Sequence, residues 1–442
     1  MKTVAQYLGK VLDCPQCGRR HQVGVKDVLL ADDAVEQLPG RLAALGLPAD
    51  VVVVADRRTR AAAGAAVMAA FARRGVPCSE IIVPDAAAGG SPVCDVPTRE
   101  ALEQRLPASG LLLAVGSGVV NDLVKWIAAD AGRPYAVVPT AASMNGYTSA
   151  NVAPTIKGVK CVVPGREPVA VATSLAILRS APAAMTAAGL GDVLAKPVST
   201  ADWMLNRVLF QEYYCPLCAE LIREIETVYM GAPEAIAAGT ADGMEALFEA
   251  VILTGFGMTM AGTSSPASGG EHLISHVLDM MANRDGIAHD LHGRQVGVAT
   301  VYCAALYAEV FARPPAGFRA ATTRTERAFW QQFTEVVEEK HAVKRQRQEQ
   351  AAALLRGTAG LWDRVRAAVS PLYRPPEMIR DVLRRAGAAY RLRDIGVSRE
   401  WFLEAALHAH EVRERYTVLD LARCVGVLPE RAGELVDRWL IE

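Results

Sequence analysis

Hydrophobic residues in the first part of the chain fall in short unbroken runs separated by helical patterns. Val51–Ala55 is wholly apolar, an Ala-rich helical stretch over residues 59–74 follows, and further runs occupy residues 80–83, where Glu80 precedes three apolar residues, 111–115 and 135–138. Runs of four or five apolar residues without polar alternation predict strands covered on both faces, and helices between them predict a parallel sheet. From about residue 181 the period changes. Long helical patterns cover residues 234–260, 324–355 and 401–415 and Val418–Cys424, with Pro and Gly as breaks. The pattern predicts an α/β protein: a Rossmann-like parallel-sheet domain over residues 1–180, followed by an all-helical domain over residues 181–442. Residues 338–350 are rich in Lys, Arg, Glu and Gln and predict a solvated helix face.

Composition narrows the class of protein. At 442 residues the chain is too long for one core and matches two domains. With 51% apolar and 21% charged residues it is a folded protein able to enclose a cleft, not a disordered chain. A formal net charge of -1, without a basic stripe interleaved with aromatics, argues against nucleic acid or an anionic membrane as partner. Any phosphate must be met by local groups. No window approaches a run of about 18 uninterrupted apolar residues, and the first ten residues lack a signal-peptide core, so the expectation is a cytoplasmic protein without a membrane span. Nine scattered cysteines, an odd number, point to reduced thiols and not to a disulfide framework.

The apolar run at 111–115 leads into Gly116-Ser-Gly-Val-Val-Asn-Asp122 and then into a helical pattern. A strand that turns through glycines into a helix start lets backbone N–H groups approach a diphosphate, whose charge the helix N-terminus favours. Gly116, Ser117, Gly118, Asn121 and Asp122 are therefore cofactor-binding candidates, although such a turn also serves to pack a strand on a helix. Asp56, at the end of the valine run, is placed to accept hydrogen bonds from ribose hydroxyls or to cap the next helix. The neighbouring Arg57 and Arg58 suit a 2′-phosphate, which leaves NAD and NADP both open. Thr140 and Ser143 follow another strand run and add hydroxyls at the same edge of the sheet.

Half of the eight histidines, His272, His276, His289 and His292, fall within 21 residues. Upstream, Ala188-Gly-Leu-Gly-Asp192 carries a carboxylate in a glycine-bounded segment. Two imidazoles and one carboxylate make a three-ligand metal site with an open position for a substrate oxygen. His272 and His276, four residues apart, share a helix face, so either one of them or both fit such a set.

Several further segments complete an ordered series: Val138-Pro-Thr-Ala-Ala-Ser143, Ala188-Gly-Leu-Gly-Asp-Val-Leu-Ala-Lys196, Asp202-Trp203, Pro266-Ala-Ser-Gly-Gly-Glu-His272 and Leu291-His-Gly-Arg-Gln-Val-Gly297. With Gly116 to Asp122, this series resembles the sn-glycerol-1-phosphate dehydrogenases, in the group that includes iron-containing alcohol dehydrogenases, glycerol dehydrogenase and dehydroquinate synthase. Cys14-Pro-Gln-Cys17-Gly-Arg-Arg-His21 and Arg413-Glu-Arg-Tyr-Thr-Val-Leu419 bring it nearest to the bacterial, arabinose-operon type. The resemblance implies an active site in the cleft between the two domains, a homodimer, and a divalent metal, zinc or nickel, held by Asp192, His272 and His292. It also implies reversible reduction of dihydroxyacetone phosphate to sn-glycerol 1-phosphate with NAD(H) or NADP(H). Lys160, Lys196, Arg294 and His276 are the candidate donors for the substrate phosphate.

Two positions depart from the family pattern. Many relatives have Ser-x-Asp-Gly where this chain has Ser143-Met-Asn145-Gly146. Asn145 keeps the shape for a catalytic or substrate-binding role, but it cannot ionise, so a proton relay there has to use water, a ribose hydroxyl or another residue. Thr173 stands where relatives commonly carry an aspartate and reads as structural. These departures keep open a related polyol, polyol-phosphate or aldehyde dehydrogenase, a dehydroquinate synthase-like enzyme using bound NAD, and a non-catalytic nucleotide-binding regulator. Cys14-x-x-Cys17 with His21 has zinc-knuckle spacing that Cys215-Pro-Leu-Cys218 would complete, and thiols in two short turns are the simpler reading.

Overall fold

In the computed structural model, which describes residues 1–48, 50–86, 90–312, 314–320 and 324–441, the chain opens with an antiparallel hairpin of β1 (Val11–Asp13) and β2 (Arg20–Gln22). The strands β3 (Asp27–Leu30), β4 (Val51–Ala55), β5 (Cys78–Ile82), β6 (Leu111–Gly116) and β7 (Tyr135–Pro139) follow. Two short antiparallel pairs are then built from β8 (Asn151–Val152), β9 (Thr155–Ile156), β10 (Val159–Lys160) and β11 (Val163–Pro164), before β12 (Ala170–Thr173). The six-stranded sheet has the order β3-β12-β7-β6-β4-β5 and is parallel throughout. Every residue of β4, β6 and β7 is buried, as continuous apolar runs require. The edge strand β3 was not legible as a run, because its residues are only half-buried and it starts with Asp27.

The principal helices are α1 (Ala34–Ala44), α2 (Ala65–Arg73), α3 (Gly118–Asp130), α4 (Ala183–Leu194), α5 (Lys196–Phe210), α6 (Ala241–Ala261), α7 (Gly270–Asp285), α8 (His292–Ala312), α9 (Thr334–Gly357) and α10 (Val418–Cys424). One face of the sheet buries Val51, Val53, Leu111, Leu113, Val115 and Val138 against Leu38 and Leu42 of α1 and Val67 and Phe71 of α2. Connections run outward from β4 to β5 and then return to β6 on the other side of β4, so the strand order reverses between β4 and β6. In open parallel sheets that crevice, at the carboxyl ends of the strands, is where ligands bind. Ala55 pairs with Val115 and Gly116 with Pro139, which aligns the strand ends that lead into Asp56, Ser117 and Thr140.

The chain divides into two compact units. The first comprises Met1–Gly189 and Glu220–Thr263, the second Leu190–Ala219 and Ser264–Glu442. This arrangement differs from a single boundary after residue 180, since Glu220–Thr263 returns to the first unit. There α6 packs on the segment after β7: Thr148 Oγ1 donates to Ile252 O at 2.8 Å, and a Cβ on Gly255 would lie 2.1 Å from Thr148 Oγ1. The expected long helices are subdivided. The pattern over 234–260 breaks at Gly239, whose φ is +61°. That over 324–355 breaks at Gln331, with φ +47°, and that over 401–415 ends in a 3-10 turn at Ala409–Glu411.

One expectation is corrected. Residues 338–350 do not form a wholly solvated face, because His341, Lys344 and Gln348 of α9 are buried. Lys344 Nζ lies 2.8 Å from Asp420 Oδ2, and Gln348 Nε2 donates to Asp420 Oδ1 at 2.7 Å. Spacings of three and four residues put these polar groups on one helix face, where the distant Asp420 neutralises Lys344 and accepts from Gln348. Helices α6 and α8 are long and apolar enough to cross a bilayer, yet 78% of each apolar window is buried inside the protein, as in core helices.

Candidate functional site

The nucleotide candidates lie in the first unit. Gly116 is required for packing, because a Cβ there would sit 2.6 Å from Val120 Cβ. At Gly118 the nearest atoms to an added Cβ belong to Met144, at 3.7 Å, an ordinary van der Waals contact, so packing does not demand glycine there. Ser117 is the N-cap of α3 and its side chain makes no capping bond, leaving first-turn N–H groups available to an anion. Asn121 and Asp122 instead turn inward. Asp122 Oδ1 accepts from Asn121 Nδ2 at 3.2 Å and Lys125 Nζ at 3.3 Å, while Oδ2 accepts from Ala153 N at 3.2 Å. Lys125, which the sequence reading missed, is fully buried and also donates to Asn151 O at 2.9 Å, tying the turn to the segment beyond β7. Burial pushes its ammonium down from the ordinary lysine value.

Asp56 caps the helix that follows β4: its Oδ1 accepts from Arg58 N at 2.7 Å and Thr59 N at 2.9 Å. Arg57 and Arg58 both pair with Asp85 at the surface, at 2.5 and 2.8 Å. Thr140 is buried just beyond β7, and Ser143 and Asn145 are half-buried in the loop after it. Lys160, on β10, donates to Ala153 O at 3.3 Å. Thr173 Oγ1 donates to Pro139 O at 2.7 Å and is fully buried, a structural bond between neighbouring strands.

The second unit brings together Asp192 of α4, His272 in the first turn of α7 and His292 at the start of α8. One donor atom from each lies within 4.8 Å of the others. His272 Nε2 is 3.3 Å from Asp192 Oδ1, and the two imidazole rings are 5.2 Å apart. Each ring has its other nitrogen engaged. His272 Nδ1 is 2.7 Å from Glu271 Oε1, and His292 Nδ1 is 3.0 Å from Ser275 Oγ, whose hydroxyl donates to Gln295 Oε1 at 2.8 Å. With that proton directed at Gln295, Ser275 accepts from His292 Nδ1–H. Both rings are thereby set with Nε2 as the lone-pair donor, the arrangement that metal-binding histidines need.

Glycines make this convergence sterically possible. A Cβ on Gly191 would lie 2.1 Å from Gly293 O, so only glycine lets α4 approach α8 closely enough to set Asp192 beside His292. A Cβ on Gly269 would lie 2.5 Å from Asp202 Oδ2. That carboxylate accepts from Gly270 N at 2.8 Å, and its Oδ1 accepts from Val418 N at 2.7 Å and Tyr307 Oη at 2.5 Å. Asp202 therefore fixes the N-terminus of α7, and with it His272, which explains why Asp202-Trp203 and the Gly269-Gly270 pair occur in one series of motifs.

Charge is balanced locally. Lys196 Nζ is 3.1 Å from Asp192 Oδ1, one helical turn away, and also donates to Ala267 O at 3.0 Å. Burial alone would raise the Asp192 carboxyl, but the Lys196 ammonium and the His272 and His292 rings outweigh it and hold the group well below the usual carboxylate range. Burial would lower the His272 ring, and its bonds to Asp192 and Glu271 raise it instead. His276 is buried beside this group, stacked on His292 at 5.6 Å. Arg294 is held by Asp290 Oδ2 at 2.8 Å and by the Asp394 carbonyl, and His289 lies at the surface against Asp279. Glu271, Ser275 and Gln295 were not singled out from the sequence. Glu271 stood beside His272 in the quoted motif, and only its bond to the ring identifies its part.

Of the cysteine segments, Cys14, Cys17 and His21 come together in the first unit. Cys215 and Cys218 are buried in the second. Among the described residues, which include all nine cysteines, no disulfide is formed.

Residues 29–182 match the iron-containing alcohol dehydrogenase family. Glycerol-1-phosphate dehydrogenase (NAD(P)+) of Bacillus licheniformis is 29% identical over 437 residues, 98% of each chain. The enzyme of the same name from Halalkalibacterium halodurans is 35% identical over 294 residues, 66% of this chain and 73% of that one. The fold is that of the iron-containing alcohol dehydrogenase from Corynebacterium glutamicum, with a TM-score of 0.60 and 17% identity across 95% of this chain and 96% of that one. With its ordered motifs and its Asp192, His272 and His292 cluster, the chain belongs to the glycerol-1-phosphate dehydrogenase family.

Proposed function

We propose that this chain catalyses reversible reduction of dihydroxyacetone phosphate by NADH or NADPH to sn-glycerol 1-phosphate, with a divalent metal, zinc or nickel, held by Asp192, His272 and His292. The observation that carries the reading is the donor set itself: a carboxylate and two imidazoles within 4.8 Å, each ring oriented through its second nitrogen. When bound, the metal supplies Lewis-acid polarisation of the substrate carbonyl and the nicotinamide supplies the hydride. The chain's own residues prepare that chemistry. Glu271 and the Ser275–Gln295 pair hold the rings in their donor tautomers, and Lys196 keeps Asp192 ionised.

In this reading the first unit binds the nucleotide and the second the metal. Gly116, Ser117 and Gly118 take the diphosphate on backbone N–H groups, with Asn121 and Asp122 shaping the turn from behind. Asp56 presents its Oδ2 to the adenosine ribose while its Oδ1 caps the helix. Thr140 and Ser143 add hydroxyl contacts. Asn145, Lys160, Lys196 and His276 are the substrate-facing donors. Asn145 orients a substrate hydroxyl through its amide, and the proton for the product oxygen comes from water or a ribose hydroxyl, since an amide does not titrate. The enzyme acts as a homodimer in the cytoplasm.

The test is oxidation of NADH and of NADPH by dihydroxyacetone phosphate, using protein stripped of metal and then resupplied separately with zinc and nickel. Metal-dependent turnover giving glycerol 1-phosphate, and not the 3-phosphate, is expected. Bound metal and nucleotide without turnover would discard this substrate and direct the search to other polyols and aldehydes.

A further inference from the structure

The β1–β2 hairpin has no part in the chemistry above and is very short. Its strands are three residues long, and of their six side chains only His21 is buried. Such a ribbon is marginal in water unless something staples it. Its turn, Cys14-Pro-Gln-Cys17-Gly-Arg, is nevertheless tightly made: Gly18 N donates to Cys14 O at 2.9 Å and Cys14 N to Arg19 O at 3.0 Å. Gly18 has a φ of +70°, which glycine adopts without strain.

This turn gathers Cys14 Sγ, Cys17 Sγ and an imidazole nitrogen of His21 within 4.8 Å of one another, with Cys17 Sγ 3.3 Å from His21 Nε2. Donors bound at roughly 2.0–2.3 Å to a tetrahedral zinc lie about 3.4–3.8 Å apart, so the three are clustered nearly as an ion would hold them. His21 is oriented from behind: Nδ1 is 2.7 Å from the Met260 carbonyl at the end of α6, which sets Nδ1 as the donor and turns the Nε2 lone pair to the thiols. Cys14 and His21 are 4% and 1% exposed, so the site is enclosed on their side.

We propose that Cys14, Cys17 and His21 hold a structural zinc ion that staples this hairpin to the end of α6. Closed structural zinc sites use four donors, and the number of cysteines that the ion shields from a thiol reagent reports what completes this one. The inference does not rest on the proposed reaction, because the donor chemistry differs: thiolates here, and only oxygen and nitrogen at Asp192, His272 and His292.

The experiment uses the full chain carrying His292→Ala, which disables the other cluster. The protein is purified under reducing conditions, analysed for zinc, and then exchanged with cobalt. Retention of about an equivalent of zinc per chain, and a sulfur-to-cobalt charge-transfer absorption that disappears with Cys14→Ser and Cys17→Ser, are expected. X-ray absorption at the zinc edge of the His292→Ala protein should detect sulfur neighbours, a readout that needs no cysteine variant to fold. Absence of retained zinc, a zinc shell without sulfur, or a Cys14–Cys17 disulfide in protein kept reduced would overturn the proposal.

Discussion

Glu271 shows how much of the Asp192, His272 and His292 cluster depends on a side chain outside it. Its Oε1 bonds both His272 Nδ1 and Gly269 N, each at 2.7 Å, so it orients the ring and the start of α7 together. Glu271→Gln preserves volume and one acceptor but removes the charge. Metal affinity, measured by titration of stripped protein, is expected to fall about 10- to 100-fold while cooperative unfolding is retained. Unchanged affinity would mean that His272 is oriented by other contacts. His292→Ala removes a donor outright and is expected to abolish metal binding at this cluster and hydride transfer without loss of the fold; normal turnover would sink the assigned site. Asn145→Asp places an ionisable group in the loop after β7, and turnover is expected to acquire a new pH dependence. An unaltered profile would remove position 145 from proton movement.

Among the elements, the α4–α8 contact has little tolerance. A Cβ at Gly191 would press on the backbone oxygen of Gly293, which cannot rotate away, so the helices must separate. Overpacking of this kind costs about 1–3 kcal/mol and moves Asp192 away from the rings. Gly191→Ala is therefore expected to lower both the unfolding midpoint and metal affinity. Gly231→Ala is the control: nothing lies within 4 Å of its added Cβ, and the substitution is expected to be neutral or stabilising by up to about 1 kcal/mol. If both variants bind metal equally well, close helix approach is not what sets the site.

For the molecule as a whole, acid sensitivity follows from imidazoles buried as neutral groups in the second unit. Burial, then the charge of Arg423, holds His410 well below its ordinary 6.5, and burial likewise lowers His341. A depressed folded-state value means that the unfolded chain takes up the proton first. The stability these rings contribute is present above pH 6.5 and is lost as pH falls from there toward the folded-state values. Each ring adds a slope of up to about 1.4 kcal/mol per pH unit in that window. Denaturant unfolding of metal-saturated protein between pH 5 and 7 is expected to show this loss, with a shallower slope for His410→Gln. Equal slopes for the two proteins would show that His410 does not titrate on unfolding.

Local pattern was enough to read β4, β6 and β7, because strands buried on both faces have to be apolar at every position. The order of short motifs likewise singled out Asp192, His272 and His292, whose donor atoms the fold brings within 4.8 Å of one another. What periodicity does not carry is the identity of distant neighbours. Lys344 and Gln348 read as solvated until Asp420 was found against them, and the bond of Lys196 to Asp192 had no signal in the pattern. The return of Glu220–Thr263 to the first unit, and the bond from Glu271 to His272, were also decided only in three dimensions. A hydrophobic pattern records whether a position is wet or dry, whereas a buried polar group is stable only beside a particular partner, and chain folding alone determines which partner that is.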